Sequence, residues 1–94
     1  MPSFHLIPKE RIPSLRFPRQ PLPLTMAEHD SIMGKLLWAT RLGNGEPGKC
    51  RILFQDDEDV KAVETTVWAF DTENIVLKYG MTIPIARVVD VEIP

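Results

Sequence analysis

The stretch from Gly43 to Cys50, GNGEPGKC, holds residue types that can cradle a phosphate. It reads G-x-x-x-x-G-K with Cys50 where a Ser or Thr would stand, and it also contains G-x-G-x-x-G. Loops of this kind bind phosphate through backbone N–H groups at a helix N-terminus, with a strand before and a helix after. Here the pattern sets a helix before and a strand after, and Pro47 removes one of the N–H groups. The stretch reads as a helix-to-strand linker.

The other chemical candidates also lack partners. Asp56-Asp57-Glu58-Asp59 has neither the glycine nor the distant glutamate of an EF-hand loop, so it reads as a solvated acidic turn. His5, His29 and Cys50 have no metal-ligand spacing. Two histidines, one of them near the N-terminus, give no Ser/His/Asp or Cys/His set. Cys50 reads as a small buried apolar group. Trp38 and Trp68 are of the type that stacks bases, but in so short a chain they read as core. The expectation is a non-enzymatic protein with no catalytic residue, no metal and no cofactor.

The elements that would position a binding site fall into three zones. Residues 1–24 hold six of the nine prolines. Each fixes φ and lacks a donor, so Pro18, Pro21 and Pro23 exclude a helix or a central strand there. An extended or disordered arm is expected, carrying Phe4, Ile7, Ile12 and Phe17 for docking on its own domain or on a neighbour. Pro18-Arg19-Gln20-Pro21 fits P-x-x-P, a pattern common by chance. Met26 offers a start for a shorter chain, with the arm as an upstream extension.

Residues 25–94 form the expected domain of one helix and a small β-barrel. Thr25-Met26-Ala27-Glu28 is a capping box. Met26, Met33, Leu36, Leu37 and Thr40 recur at helical spacing, flanked by Ile32 and Trp38, and predict an amphipathic helix to about Leu42 with this face on the domain. Gly43 is a natural stop. Beyond it the chain is β in character. Cys50, Ile52 and Phe54 alternate with Arg51 and Gln55. Val60–Phe70 is a long β-branched run that changes phase between Val63/Val67 and Trp68/Phe70. Ile75–Tyr79 follows, and a hairpin at Gly80 and Met81 leads into Thr82–Ile85. In Val88–Ile93, Val89, Val91 and Ile93 share one face. Five short strands between turn signals predict a strongly bent, partly closed antiparallel barrel, because closure removes edges.

Charge is unevenly spread. Residues 1–25 carry Lys9, Arg11, Arg16 and Arg19 against Glu10, a net of +3, whereas residues 26–94 carry seven basic and twelve acidic groups, a net of −5. The acidic domain gives no general attraction to nucleic acid, so phosphate contacts would fall to Arg11, Arg16 and Arg19. A single cysteine excludes an internal disulfide and suits the cytoplasm. No apolar run reaches the length of a membrane span, and prolines and charges interrupt any signal-peptide core.

Thr65–Gly80, TTVWAFDTENIVLKYG, resembles the second and third strands of bacterial Sm-like RNA chaperones, whose pattern GQIxxFDxxxxLLK aligns on Phe70-Asp71 and on Lys78 without a gap. YGMTIPIARVVDV is similar to the last hairpin of Rho-binding antiterminators, which share the Sm-like fold. The resemblance covers residues 26–93 and implies a mainly β, five-stranded Sm/SH3-like small barrel with an N-terminal helix. Departures from the pattern shape the functional expectation. Thr65 replaces a usual glycine, and Pro84-Ile85-Ala86 replaces an RNA-contacting Lys-His-Ala. Asn74 lies one residue before the uridine-pocket asparagine. Pro84 also removes a donor from the edge through which Sm rings assemble. The expected function is therefore a binding module for a protein partner or for self-association, through the open edge or the arm, with Phe4, Ile7, Ile12, Phe17 and Trp38 as the candidate surface. The alternative is single-stranded RNA or DNA binding.

Overall fold

The structure is a computed structural model that describes residues 4–44 and 49–93. Residues 45–48 of the linker lie outside the described residues. The elements are β1 (His5–Leu6), a 3-10 turn (Lys9–Ser14), α1 (Met26–Asn44), β2 (Cys50–Gln55), β3 (Val60–Thr65), β4 (Val67–Phe70), β5 (Asn74–Leu77), a 3-10 turn (Lys78–Gly80), β6 (Thr82–Pro84), a 3-10 turn (Ile85–Arg87) and β7 (Val88–Glu92).

The fold is mainly β, but the closed five-stranded barrel is not what forms. Among the described residues seven strands make two sheets, ordered β1-β3-β2-β7 and β4-β5-β6, and no ladder joins them. The cause is local. The long run from Val60 breaks at Thr66, so β3 and β4 belong to different sheets. Pro84 has no N–H to extend a ladder, and the chain turns through Ile85–Arg87 before β7 pairs with β2 in the other sheet. Side chains fill the space between the sheets. α1 packs on β4 and β7, while the Lys9–Ser14 turn packs on β3 and β6.

The core comes from both sheets: Ile52, Phe54 and Val63 from one, Val67, Ile75, Leu77 and Ile83 from the other, joined by Leu36, Val88 and Val91. Each such side chain contributes about 1.5–3 kcal/mol on burial. The alternation in β2 is as the sequence pattern requires, with Cys50, Ile52 and Phe54 inward. β7 departs from it. The register against β2 shifts between Leu53 and Phe54, so Val88 faces Phe54 while Asp90 faces Leu53. One extra residue reverses the phase of what precedes it, so Val91 is buried and Val88 joins it in place of Val89.

The capping box of α1 is complete. The Thr25 N–H donates to Glu28 Oε1 at 3.0 Å, and the Glu28 N–H donates to Thr25 Oγ1 at 3.1 Å. The helix runs through Gly43 to Asn44, past the expected end. Its inner face is only in part the expected one. Ile32, Leu36 and Ala39 are buried, whereas Met26, Leu37 and Trp38 are exposed. Two apolar stripes compete on this helix. The stripe containing the small Ala39 is the one that allows close approach to the sheets.

The proline arm follows the surface of the domain as an ordered strap. β1 pairs parallel with β3, His5 with Lys61 and Leu6 with Ala62. Ile7 and Ile12 are core residues, 8% and 3% exposed, and so offer no docking surface. Phe17 lies against Phe54 with ring centroids 5.6 Å apart. The Asp57 N–H donates to the Arg16 carbonyl at 2.9 Å, and the Leu22 N–H donates to the Ala86 carbonyl at 2.9 Å. Arg87, itself buried, fastens the strap. Its Nε donates to the Gln55 carbonyl at 3.0 Å and its NH1 to the Gln20 carbonyl at 2.6 Å. Prolines prevent this segment from forming its own ladder, so its polar groups find partners on the domain.

Candidate interaction surface

The acidic turn between β2 and β3 is the first place to look for a cation, because ligand atoms of Asp56, Asp57 and Glu58 lie within 4.8 Å of one another. The turn is not the solvated one expected. Asp56 is buried, and Lys61 reaches back into the cluster. Lys61 Nζ lies 2.6 Å from Asp56 Oδ2, 2.7 Å from Asp59 Oδ1 and 3.6 Å from Glu58 Oε1. Asp56 Oδ1 also accepts from the Glu58 and Asp59 N–H groups at 2.9 and 3.0 Å. The ammonium already supplies the charge a metal ion would bring, and the cluster is a structural lock. Cys50 is likewise held inside the fold. Its thiol donates to the Thr65 carbonyl at 3.6 Å, and burial pushes it up to about 11, so it stays protonated at neutral pH.

Aromatic side chains on the surface offer more. β5 ends in the turn Lys78-Tyr79-Gly80, where Tyr79 has φ 70° and ψ 14° and Gly80 has φ 85°. The left-handed conformation costs a non-glycine residue about 1–2 kcal/mol. Two hydrogen bonds hold it: the Leu77 N–H to the Met81 carbonyl at 2.7 Å, and the Lys78 N–H to the Thr66 carbonyl at 3.0 Å. The break that separates β3 from β4 thus supplies the acceptor that fixes this turn. The strain places Tyr79 outward, 70% exposed, beside the half-exposed Trp68 of β4. Their ring centroids are 6.3 Å apart at an interplanar angle of 58°. Lys9 Nζ from the arm sits 5.0 Å from the Tyr79 centroid, and Lys78 Nζ sits 5.4 Å from it. Two aromatic rings with two ammonium groups form a patch able to stack on flat or apolar groups and to attract anions.

A second exposed aromatic lies on α1. Trp38 is 60% exposed with the Arg41 guanidinium 5.7 Å from its ring centroid, next to the half-exposed Leu37. Phe4 of the arm is partly covered and lies over Arg51 at 5.6 Å.

The expected nucleic-acid contacts Arg11, Arg16 and Arg19 are all exposed along the arm. Among the described residues none of them lies over the ring of Trp68 or Tyr79. Lys9 and Lys78 do, and the sequence pattern did not single out either of them or Tyr79. A signal was available: a tyrosine directly before the glycine of a tight turn, flanked by lysine. Trp38 and Trp68, read from the sequence as core, are both outside it.

No protein-family model, curated protein or solved structure matches this chain. The likeness to Sm-like proteins therefore rests on the residues quoted for it. No helix among the described residues is long and apolar enough to cross a membrane.

Proposed function

We propose that this chain is a non-enzymatic binding module that works by protein–protein contact, either with a partner or with a second copy of itself. One observation carries this reading. Both tryptophans and the single tyrosine lie outside the core, 60%, 48% and 70% exposed. These side chains contribute most when buried against a partner and are enriched at protein interfaces. The bend at Thr66, placed where the Sm-like pattern has its long second strand, supports an open relative of the Sm/SH3-like barrels. The unpaired, buried Cys50 fits a cytoplasmic setting.

A second reading, single-stranded RNA or DNA binding, is favoured by one specific arrangement: the Trp68–Tyr79 pair between Lys9 and Lys78. Base stacking on such rings is tolerant of sequence. The net charge of −2 weighs against it, because phosphate contacts need local positive charge.

The test compares the full chain with a triple variant, Trp38→Ala/Trp68→Ala/Tyr79→Ala. Sedimentation measures self-association, and cross-linking in cells followed by mass spectrometry measures partners. A complex formed by the wild type and lost in the variant supports protein contact. A wild-type monomer whose cross-links match those of the variant refutes it. Labelled mixed-sequence oligonucleotides at low salt test the second reading, which requires binding that Lys9→Glu/Lys78→Glu abolishes.

A further inference from the structure

We propose that two copies of the chain dimerise through the outer face of α1, with the two helices antiparallel and in contact at Gly34. This inference rests on the protein-contact reading above and names the partner as a second copy.

The inner stripe of α1, Ile32, Leu36 and Ala39, is spent on the sheets. The outer stripe is Ala27, Asp30, Gly34, Leu37 and Arg41, all exposed. Its steps alternate between three and four residues, the a/d repeat of a two-helix seam. Gly34 stands at its centre. A glycine inside a helix weakens it, so an internal reason for one would be a neighbour too close for a Cβ. None exists, because a Cβ at Gly34 would meet nothing within 4 Å. A side chain arriving from outside supplies the missing reason.

The stripe is complementary to itself in one orientation. An antiparallel pair related by a two-fold axis level with the Lys35–Leu36 peptide bond sets Leu37 of each copy over Gly34 of the other. The same axis sets Arg41 of each copy level with Asp30 of the other. Among the described residues the only ion-pair neighbour of Asp30 is His29 at 3.9 Å, and Arg41 has no carboxylate within 4.0 Å. Trp38 flanks the seam and falls opposite the small Ser31 of the second copy. A parallel pair would instead oppose like charges at both positions. The contact is isologous, so it closes at two copies.

The test is the mass of the full chain by sedimentation equilibrium across a dilution series. The expected result is a reversible dimer. Leu37→Glu should raise Kd by about 30-fold or more, as loss of a central anchor does, with far-ultraviolet circular dichroism unchanged. Asp30→Arg should also weaken the dimer, and Asp30→Arg/Arg41→Asp should restore it. These positions are exposed, so the charge swap remains informative if Leu37→Glu fails to fold. A wild type that stays monomeric at every concentration overturns the proposal, as does an oligomer indifferent to both changes. That indifferent oligomer would leave protein contact standing, whereas a monomer that also captures no partner in cells removes both.

Discussion

Lys61 and Asp56, five residues apart, form a buried ion pair that closes the β2–β3 hairpin from within, with Nζ and Oδ2 2.6 Å apart. Removing one partner of a buried pair strands the other charge, which typically costs about 3–5 kcal/mol. Lys61→Met should therefore destabilise the protein by about that amount in urea unfolding at neutral pH. The double variant Asp56→Asn/Lys61→Met should lose less than the sum of its single changes. A loss below about 1 kcal/mol for Lys61→Met, as for an exposed pair, would contradict the lock.

The same pair sets the acid limit. Burial alone would raise the Asp56 carboxyl, but the hydrogen bond from Lys61 and those from the Asp59 and Glu58 N–H groups outweigh it and hold it below its ordinary 3.8. A folded-state value lower than the unfolded one gives stability that is present above the unfolded value and lost as pH falls through the folded one. Glu28, held down by the Thr25 N–H and hydroxyl, and Asp71, held down by the Asn74 and Glu73 N–H groups, act with the same sign. Unfolding free energy should fall steeply with acid, and Asp56→Asn should flatten that slope. Lys61 is raised above its ordinary 10.5, first by its hydrogen bond to Asp56, so its contribution is lost only in strong alkali. An acid slope identical in wild type and Asp56→Asn would exclude this linkage.

Arg87 ties the strap to the sheet through the carbonyls of Gln20 and Gln55. Hydrogen bonds to a charged group are worth about 1.5–3 kcal/mol each. In Arg87→Ala, hydrogen exchange should quicken at Leu22, whose N–H is held by the Ala86 carbonyl. The amides of β2 and β3 should keep their protection. Uniform quickening would mean that the strap and the sheets unfold as one unit.

Thr25→Ala removes one half of the capping box and should cost about 1 kcal/mol. For a chain of this size that corresponds to a fall in Tm of about 4–8 °C. An unchanged Tm would show that packing, not the cap, sets the start of α1.

What was legible in the sequence was local. The capping box needs only Thr25 and Glu28, three residues apart, and it forms as written. The strand Cys50–Gln55 follows from alternation, whereas the expected Ile75–Tyr79 strand forms as Asn74–Leu77, with Lys78 and Tyr79 in the turn that follows. What was hidden depends on distant partners. Nothing in the sequence sets Lys61 apart until Asp56 and Asp59 fold around it. Ile7 and Ile12 read as docking residues with no assigned surface, because the elements that receive the arm, β3 and β6, come much later in the chain. The inner face of α1 was read in part, since Leu36 and Ile32 are buried, but Met26, Leu37 and Trp38 offer more apolar area than Ala39, while the sheets select for fit. Of the candidate surface, Trp38 and Trp68 were visible as aromatics. Tyr79 acquires its meaning only from a backbone angle.

The parallel pairing of β1 with β3 also bears on how the protein is made. His5 leaves the ribosome well before Lys61, its ladder partner. At about 5–20 residues per second that interval is roughly 3–11 s. Throughout it Leu6 and Ile7 have no strand to join. The rim of the four-stranded sheet is thus sealed by a segment made well before its ladder partner, and a translating ribosome carries this strap as bare apolar cargo that holdase chaperones can recognise.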